Sequence, residues 1–215
     1  MSDLASIEVF QDLTIWPGQQ RLENIRAALI GQTKTPWRHA PEREAGVGSN
    51  EFAAFECSAR ESFPSVGLIL WRSEGCFRVS NIVPREHGQL TYAQYNAALE
   101  SFFKLVVEPV AKTLDLKVET TKPRVSPTDW MSQKTAQSLS IFSSCANKST
   151  GASHPYDEER WLAFILDAYQ DEHDAGAYLA RWLIEAEHWP EDVAHDLVGQ
   201  YEFAMHLLAR YDRTR

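Results

Sequence analysis

Val66-Gly67-Leu68-Ile69-Leu70-Trp71, the link Arg72-Ser73-Glu74-Gly75, and Cys76-Phe77-Arg78-Val79-Ser80-Asn81-Ile82-Val83 form the stretch that decides the fold. Two apolar runs rich in branched and aromatic residues, joined by a short Gly-containing link, predict an antiparallel hairpin. Phe52 to Arg60 adds a candidate strand before it, and Leu116-Lys117-Val118-Glu119-Thr120-Thr121 alternates like a strand after it. Between them, Thr91-Tyr92-Ala93-Gln94 has the form of a capping box, followed at helical spacing by Tyr95, Leu99, Phe102, Val106 and Val110. Pro109 is expected to end or kink that helix near Val107, because its ring clashes with the preceding turn. Strand, hairpin, helix, strand is the pattern of an α+β fold, a small antiparallel sheet with one or two packed helices.

Upstream, Ile7-Glu8-Val9-Phe10 reads as a short strand and Pro17-Gly18 as a turn. Gln19 to Ile30 reads as a helix with Leu22, Ile25 and Leu29 on one stripe. Residues 31–50 lapse into Gly, Pro and charges, which predicts a mobile loop pinned by Trp37. Downstream of the sheet the chain turns helical. Ser126-Pro127-Thr128-Asp129 opens a helix running toward Phe142, with Ser126 as its cap. Pro155 opens a second, whose first-turn Asp157, Glu158 and Glu159 complement the helix dipole. A third is expected from about Ala175 to Glu187. A fourth opens at Pro190-Glu191-Asp192, with Val193, Leu197, Tyr201, Ala204 and Leu208 on its stripe. The expected division is a sheet-and-helix body over 1–125 and an acidic helical portion docked on it over 126–215, as one domain or two.

An apolar fraction of 44%, with seven Trp, seven Tyr and ten Phe, suffices for a sizeable core. No run approaches the roughly 18 apolar residues of a membrane span. The first residues lack the basic and apolar regions of a secretory signal. Cys57, Cys76 and Cys145 are odd in number and form no C-x-x-C pair, which points to reduced thiols and a cytoplasmic protein. The net charge of −9 is unevenly spread: residues 155–215 hold fourteen Asp and Glu against five Arg, and the first 154 are balanced. Such asymmetry disfavours nucleic acid bound by the usual basic-patch mode and favours a basic protein partner.

The crossover between the first two downstream helices gathers Asn147, Lys148, Ser149, Thr150, His154, Asp157 and Arg160. Hydroxyls, a Lys and an incoming helix N-terminus are suited to an anion or phosphate. The Gly-x4-Gly-Lys-Ser/Thr pattern is missing, and cap chemistry at two helix ends accounts for the same residue types. Arg181 and His188 have a spacing that resembles a pair used by some all-helical ribonucleases, but they flank an acidic helix that would repel RNA. Glu185-x-x-His188 and Asp192-x-x-His195 lie on either side of the Pro190 break and do not converge on one ion, so no metal and no cofactor is expected. No nucleophile motif is present, which leans against catalysis, although a triad assembled from distant residues would leave no motif. The preferred reading is an interaction or regulatory protein of the immunity or antitoxin kind. Its acidic helical face, carrying Glu185, Glu187, Glu191, Asp192 and Asp196, would engage a basic protein. The alternative is a small-molecule or phosphate-binding module, or an enzyme, with its pocket at the 147–160 loop. A homo-oligomer formed through Trp161, Trp182 and Trp189 is a third reading.

Overall fold

A computed structural model describes residues 4–44, 52–171 and 176–214. Its strands are β1 Ile7–Glu8, β2 Leu13–Trp16, β3 Trp37–His39, β4 Phe52–Cys57, β5 Val66–Ser73, β6 Cys76–Pro84, β7 Lys117–Thr120 and β8 Arg124–Val125. Its helices are α1 Leu22–Gln32, α2 Tyr92–Phe102, α3 Glu108–Leu114, α4 Gln133–Cys145, α5 Pro155–Gln170, α6 Gly176–Arg181 and α7 Glu191–Arg213. The fold is α+β, an antiparallel sheet with helices and a helical C-terminal segment. The chain divides into two compact units, Val9–Pro123 and a second made of the first eight residues with 124–215.

In the Val9–Pro123 unit six strands form one antiparallel sheet in the order β3-β4-β5-β6-β2-β7. The β5–β6 hairpin closes on Glu74 and Gly75, both at positive φ (43° and 82°), the turn geometry that matches the twist of paired strands. A bulge shifts the register: Ile69 pairs with Asn81 but Leu70 with Val79. Ser80 is the extra residue, and the shift changes which parity faces inward, so Phe77 and Val79 but then Ile82 are buried. One sheet face carries Leu13, Ile15, Ala53, Phe55, Cys57, Val66, Leu68 and Leu70. Against it pack Leu22, Ile25 and Leu29 of α1 and Tyr95, Leu99 and Phe102 of α2. The opposite face holds a smaller cluster of Ala40, Phe52 and Ala54, flanked by Ile69 and Trp71.

Local signals place α2: the Thr91 hydroxyl accepts from the Gln94 amide (3.2 Å) and the Gln94 side chain accepts from the Thr91 amide (3.0 Å). The helix does not end at Pro109, though it departs from α geometry just before it. A π-helical turn over Phe103–Val107 carries the chain into α3, with Pro109 in the first turn of α3, where no amide is required of it. The loop expected over 31–50 is partly strand. Trp37 is buried and opens β3, which pairs with β4, and a 3-10 turn follows over Pro41–Arg43. Residues 45–50 of that loop lie outside the described residues.

In the other unit β1 and β8 pair as a two-stranded ribbon. The helix expected from Ser126 is only a 3-10 turn over Pro127–Asp129. Trp130 and Met131 then turn inward, and α4 restarts with Ser132 as its cap. The helical core contains Phe142, Trp161, Phe164, Leu179, Trp182, Leu183, Trp189, Leu197 and Tyr201, all buried. Phe142 stacks on Trp189 (5.3 Å between centroids, 16° between planes) and tilts against Trp161 (4.8 Å). The three tryptophans invoked for an oligomer therefore fill the interior of their own unit. Among the described residues, no helix is long and apolar enough to cross a membrane.

Candidate functional site

The acidic residues of the helical unit separate into two groups. One group is internal. The Asp167 carboxylate receives the Lys134 ammonium (2.6 Å) and the Ser138 hydroxyl (2.6 Å), which hold its carboxyl below the ordinary carboxylate range. Asp171 accepts from the Ser132 amide (3.0 Å) and the Thr135 hydroxyl, tying the start of α4 to the end of α5. Glu187 accepts from the buried Ser143 hydroxyl (2.9 Å), which in turn accepts from Trp189 Nε1 (2.9 Å). These carboxylates hold helices together.

The crossover residues are also used locally. The Asn147 side chain accepts from the Ser149 amide (3.0 Å) and hydroxyl (2.8 Å), and its carbonyl accepts from the amides of Thr150 and Gly151. Lys148 Nζ reaches the Glu187 carbonyl and lies 5.9 Å from the Trp189 ring centroid. His154 caps α5, its Nδ1 accepting from the Tyr156 amide (3.3 Å). Asp157 is buried, and accepts from Arg160 (2.7 Å) and the Asn147 amide (3.4 Å). The seven residues are brought together, and most of their polar groups face one another.

The second group of acids faces water. Glu185 of this group is held by the Arg181 guanidinium (2.8 and 3.1 Å) and is charge-matched, as the internal Glu187 is by Lys148 at 3.8 Å. Among the described residues Glu191 pairs only with His195, at 3.8 Å, and Asp196 accepts from the uncharged Gln200 amide (2.8 Å). Among the described residues, Glu158, Glu159, Asp192 and Glu202 are exposed without an ion pair. Gly151 fixes where these groups lie. A Cβ built on it would come within 3.1 Å of Val193 Cγ1, so the crossover before α5 abuts the start of α7. Glu158, Glu159, Glu191 and Asp192 therefore gather at one end of the unit. Two helix N-termini there, each worth about half a positive charge, offset roughly one of these four negative charges.

The same helix carries an apolar surface that the sequence reading assigned to no face. Along α7, Ala194, Leu197 and Tyr201 are buried, whereas Phe203, Leu207 and Tyr211 are 70%, 56% and 51% exposed. Asp196, Phe203 and Leu207 are spaced i, i+7 and i+11, so they share one outward stripe. A helix apolar on two sides calls for two sets of neighbours, and among the described residues Phe203 and Leu207 stay largely exposed.

A second constellation lies on the sheet face away from the helices. Glu56, in β4, is buried, yet three guanidiniums converge on it. Its cross-strand partner Arg38 donates to Oε2, Arg85 lies 3.3 Å from the same oxygen, and Arg43 Nε donates to Oε1 at 3.4 Å. Arg38 also holds Glu42 (2.7 Å). Nearby, the buried Glu44 accepts from Arg26, from the Ala54 amide (2.9 Å) and, at Oε1, lies 2.8 Å from His39 Nε2, pinning the 3-10 turn to β4. Sequence reasoning missed this cluster because its members are scattered. The one available signal was a carboxylate inside the otherwise apolar run Phe52–Cys57, where a charge needs a partner.

No protein-family model, no curated protein and no solved structure matches this chain.

Proposed function

We propose that the helical unit is a protein-interaction module that engages a basic, amphipathic segment of a partner, in the manner of an immunity protein or antitoxin. The observation that carries this reading is the outward face of α7. Glu191, Asp192 and Asp196 at its start, which among the described residues have no Lys or Arg partner, run into Phe203 and Leu207, both largely exposed. Unpaired charge raises the encounter rate and selects the sign of the partner, while aromatic and aliphatic anchors supply most of the affinity once water is expelled. The face rests on Glu191, Asp192 and Asp196 more than on Glu185 and Glu187, whose charge Arg181 and Lys148 offset. Three unpaired thiols, two of them buried, support a reducing, cytoplasmic setting for this role.

The test is affinity capture from an extract of the native host, comparing the wild-type protein with two variants. One carries Glu191→Lys, Asp192→Lys and Asp196→Lys; the other carries Phe203→Ser and Leu207→Ser. One and the same protein should be retained by the wild type and lost from both variants. Retention by both variants would remove the α7 face from the account.

A further inference from the structure

We infer that Arg38, Arg43 and Arg85 form a binding site for the phosphoryl group of a small phosphorylated molecule, independent of the helical unit and of its proposed role. A buried carboxylate needs one well-placed cation to stay ionised, and here three approach it. Counting Glu42 as well, three guanidiniums face two carboxylates, leaving one positive charge in excess on a chain whose total is −9. Arg43 and Arg85 each touch Glu56 through a single nitrogen, at 3.4 and 3.3 Å, and their side chains are 64% and 41% exposed. Among the described residues neither guanidinium has a further partner, which leaves most of their N–H donors uncommitted beside the carboxylate they flank.

The arrangement is pre-organised from the backbone upward. Arg38 sits in β3, register-paired with Glu56 itself. Arg43 ends the 3-10 turn, which is anchored by the Ala40 amide to the Ala54 carbonyl (2.9 Å) and by Glu44 to the Ala54 amide (2.9 Å). Arg85 leaves β6 with its own amide bonded to the Ser65 carbonyl (2.9 Å). Glu56 thus acts as a hub that orients the three forks while neutralising only one of them. Guanidiniums pair with phosphate oxygens through parallel N–H donors, and three forks suit the three terminal oxygens of a phosphate monoester better than the two of a carboxylate. An excess of one charge suits a single phosphoryl group rather than a polyanion such as nucleic acid, whose binding needs many phosphate contacts.

The probe is inorganic phosphate, and the readout is the thermal midpoint of the full chain in phosphate against sodium chloride of equal ionic strength. The wild type should gain about 3 °C in phosphate at ten times the dissociation constant. Arg43→Gln and Arg85→Gln, each of which leaves Glu56 two guanidiniums, should lose that increment. Glu56→Gln should melt lower in chloride yet gain more from phosphate than the wild type, because the competing carboxylate charge is gone. A purely structural ion cluster shares the destabilisation of Glu56→Gln but shows no response to phosphate. Superimposed chloride and phosphate curves for both the wild type and Glu56→Gln, or a phosphate increment that survives in Arg43→Gln and Arg85→Gln, would overturn the assignment.

Discussion

Replacing Gly151 by Ala tests whether the crossover is seated on α7, the contact that places Glu158, Glu159, Glu191 and Asp192 at one end of the helical unit. Gly151 has φ of +60°, and an added Cβ would sit 3.1 Å from Val193 Cγ1 and 3.7 Å from Leu197 Cδ2. The left-handed backbone costs an L-residue about 1–2 kcal/mol, reduced by about 0.5 kcal/mol because Ala also narrows the unfolded ensemble. Overpacking against Val193 adds about 1 kcal/mol or more, since the valine belongs to a helix that cannot slide freely. The expected loss is therefore about 2–3 kcal/mol, read from urea denaturation followed by circular dichroism. A double-mutant cycle separates the two parts. In a Val193→Ala background the close contact is gone, so Gly151→Ala should cost only about 1 kcal/mol, the backbone share. Equal losses in both backgrounds would mean that the loop does not rest on Val193, and the gathered acidic end would lose its geometric basis.

Further outcomes follow from single residues. Gly199 lies inside α7 with nothing within 4 Å of an added Cβ, so Gly199→Ala should stabilise the protein by about 0.5–1 kcal/mol in the same denaturation assay. The Asp167 carboxyl is held low chiefly by the Lys134 hydrogen bond and then by Ser138. A folded-state pKa below the unfolded one gives stability that is present above the unfolded value, near 4, and lost as pH falls through the folded value. The stability gap between wild type and Asp167→Asn should therefore be full at pH 6 and shrink toward pH 3. It should be no more than about 1 kcal/mol, because Lys134 is well exposed to water. Cys145 is exposed, whereas Cys57 and Cys76 are buried and burial pushes the Cys57 thiol up to about 11. A thiol reagent at pH 8 should label Cys145 alone in the folded protein and all three after denaturation.

The elements legible in the sequence are those with local causes. The Val66–Val83 hairpin follows from two apolar runs around a Glu-Gly turn, and α2 from the Thr91–Gln94 box. The inner stripe of α7, with Leu197 and Tyr201, follows from its helical spacing. What escaped depends on distant or competing interactions. β3 is three residues long and exists because Trp37 is buried and its backbone pairs with β4. Pro109 suggested an end or a kink near Val107, and the chain instead passes through a π-helical turn over Phe103–Val107 and stays helical. In the sequence Ser126 reads as the cap of α4, whereas Ser132 caps it. Trp130 and Met131 are buried between the two serines, and α4 starts only after them. The candidate sites show the same limit. Sequence counts charges but not their partners, so it could not separate Asp157, Asp167 and Glu187, which bind their own unit, from Asp192 and Asp196. Nor could it show that Glu56 and Arg85, 29 positions apart in the chain, meet on one sheet face.

The central claim, that an acidic and apolar α7 face binds a basic partner, is met most directly by the salt dependence of the Kd for whatever protein is retained. Between 50 and 500 mM salt, values that bracket the screening length of exposed charge pairs, the complex should weaken by at least about tenfold. The Glu191→Lys, Asp192→Lys, Asp196→Lys variant should show little further loss at the high end. A Kd that stays flat across that range, or a partner that the charge-reversed variant holds as tightly as the wild type does at low salt, would contradict the account.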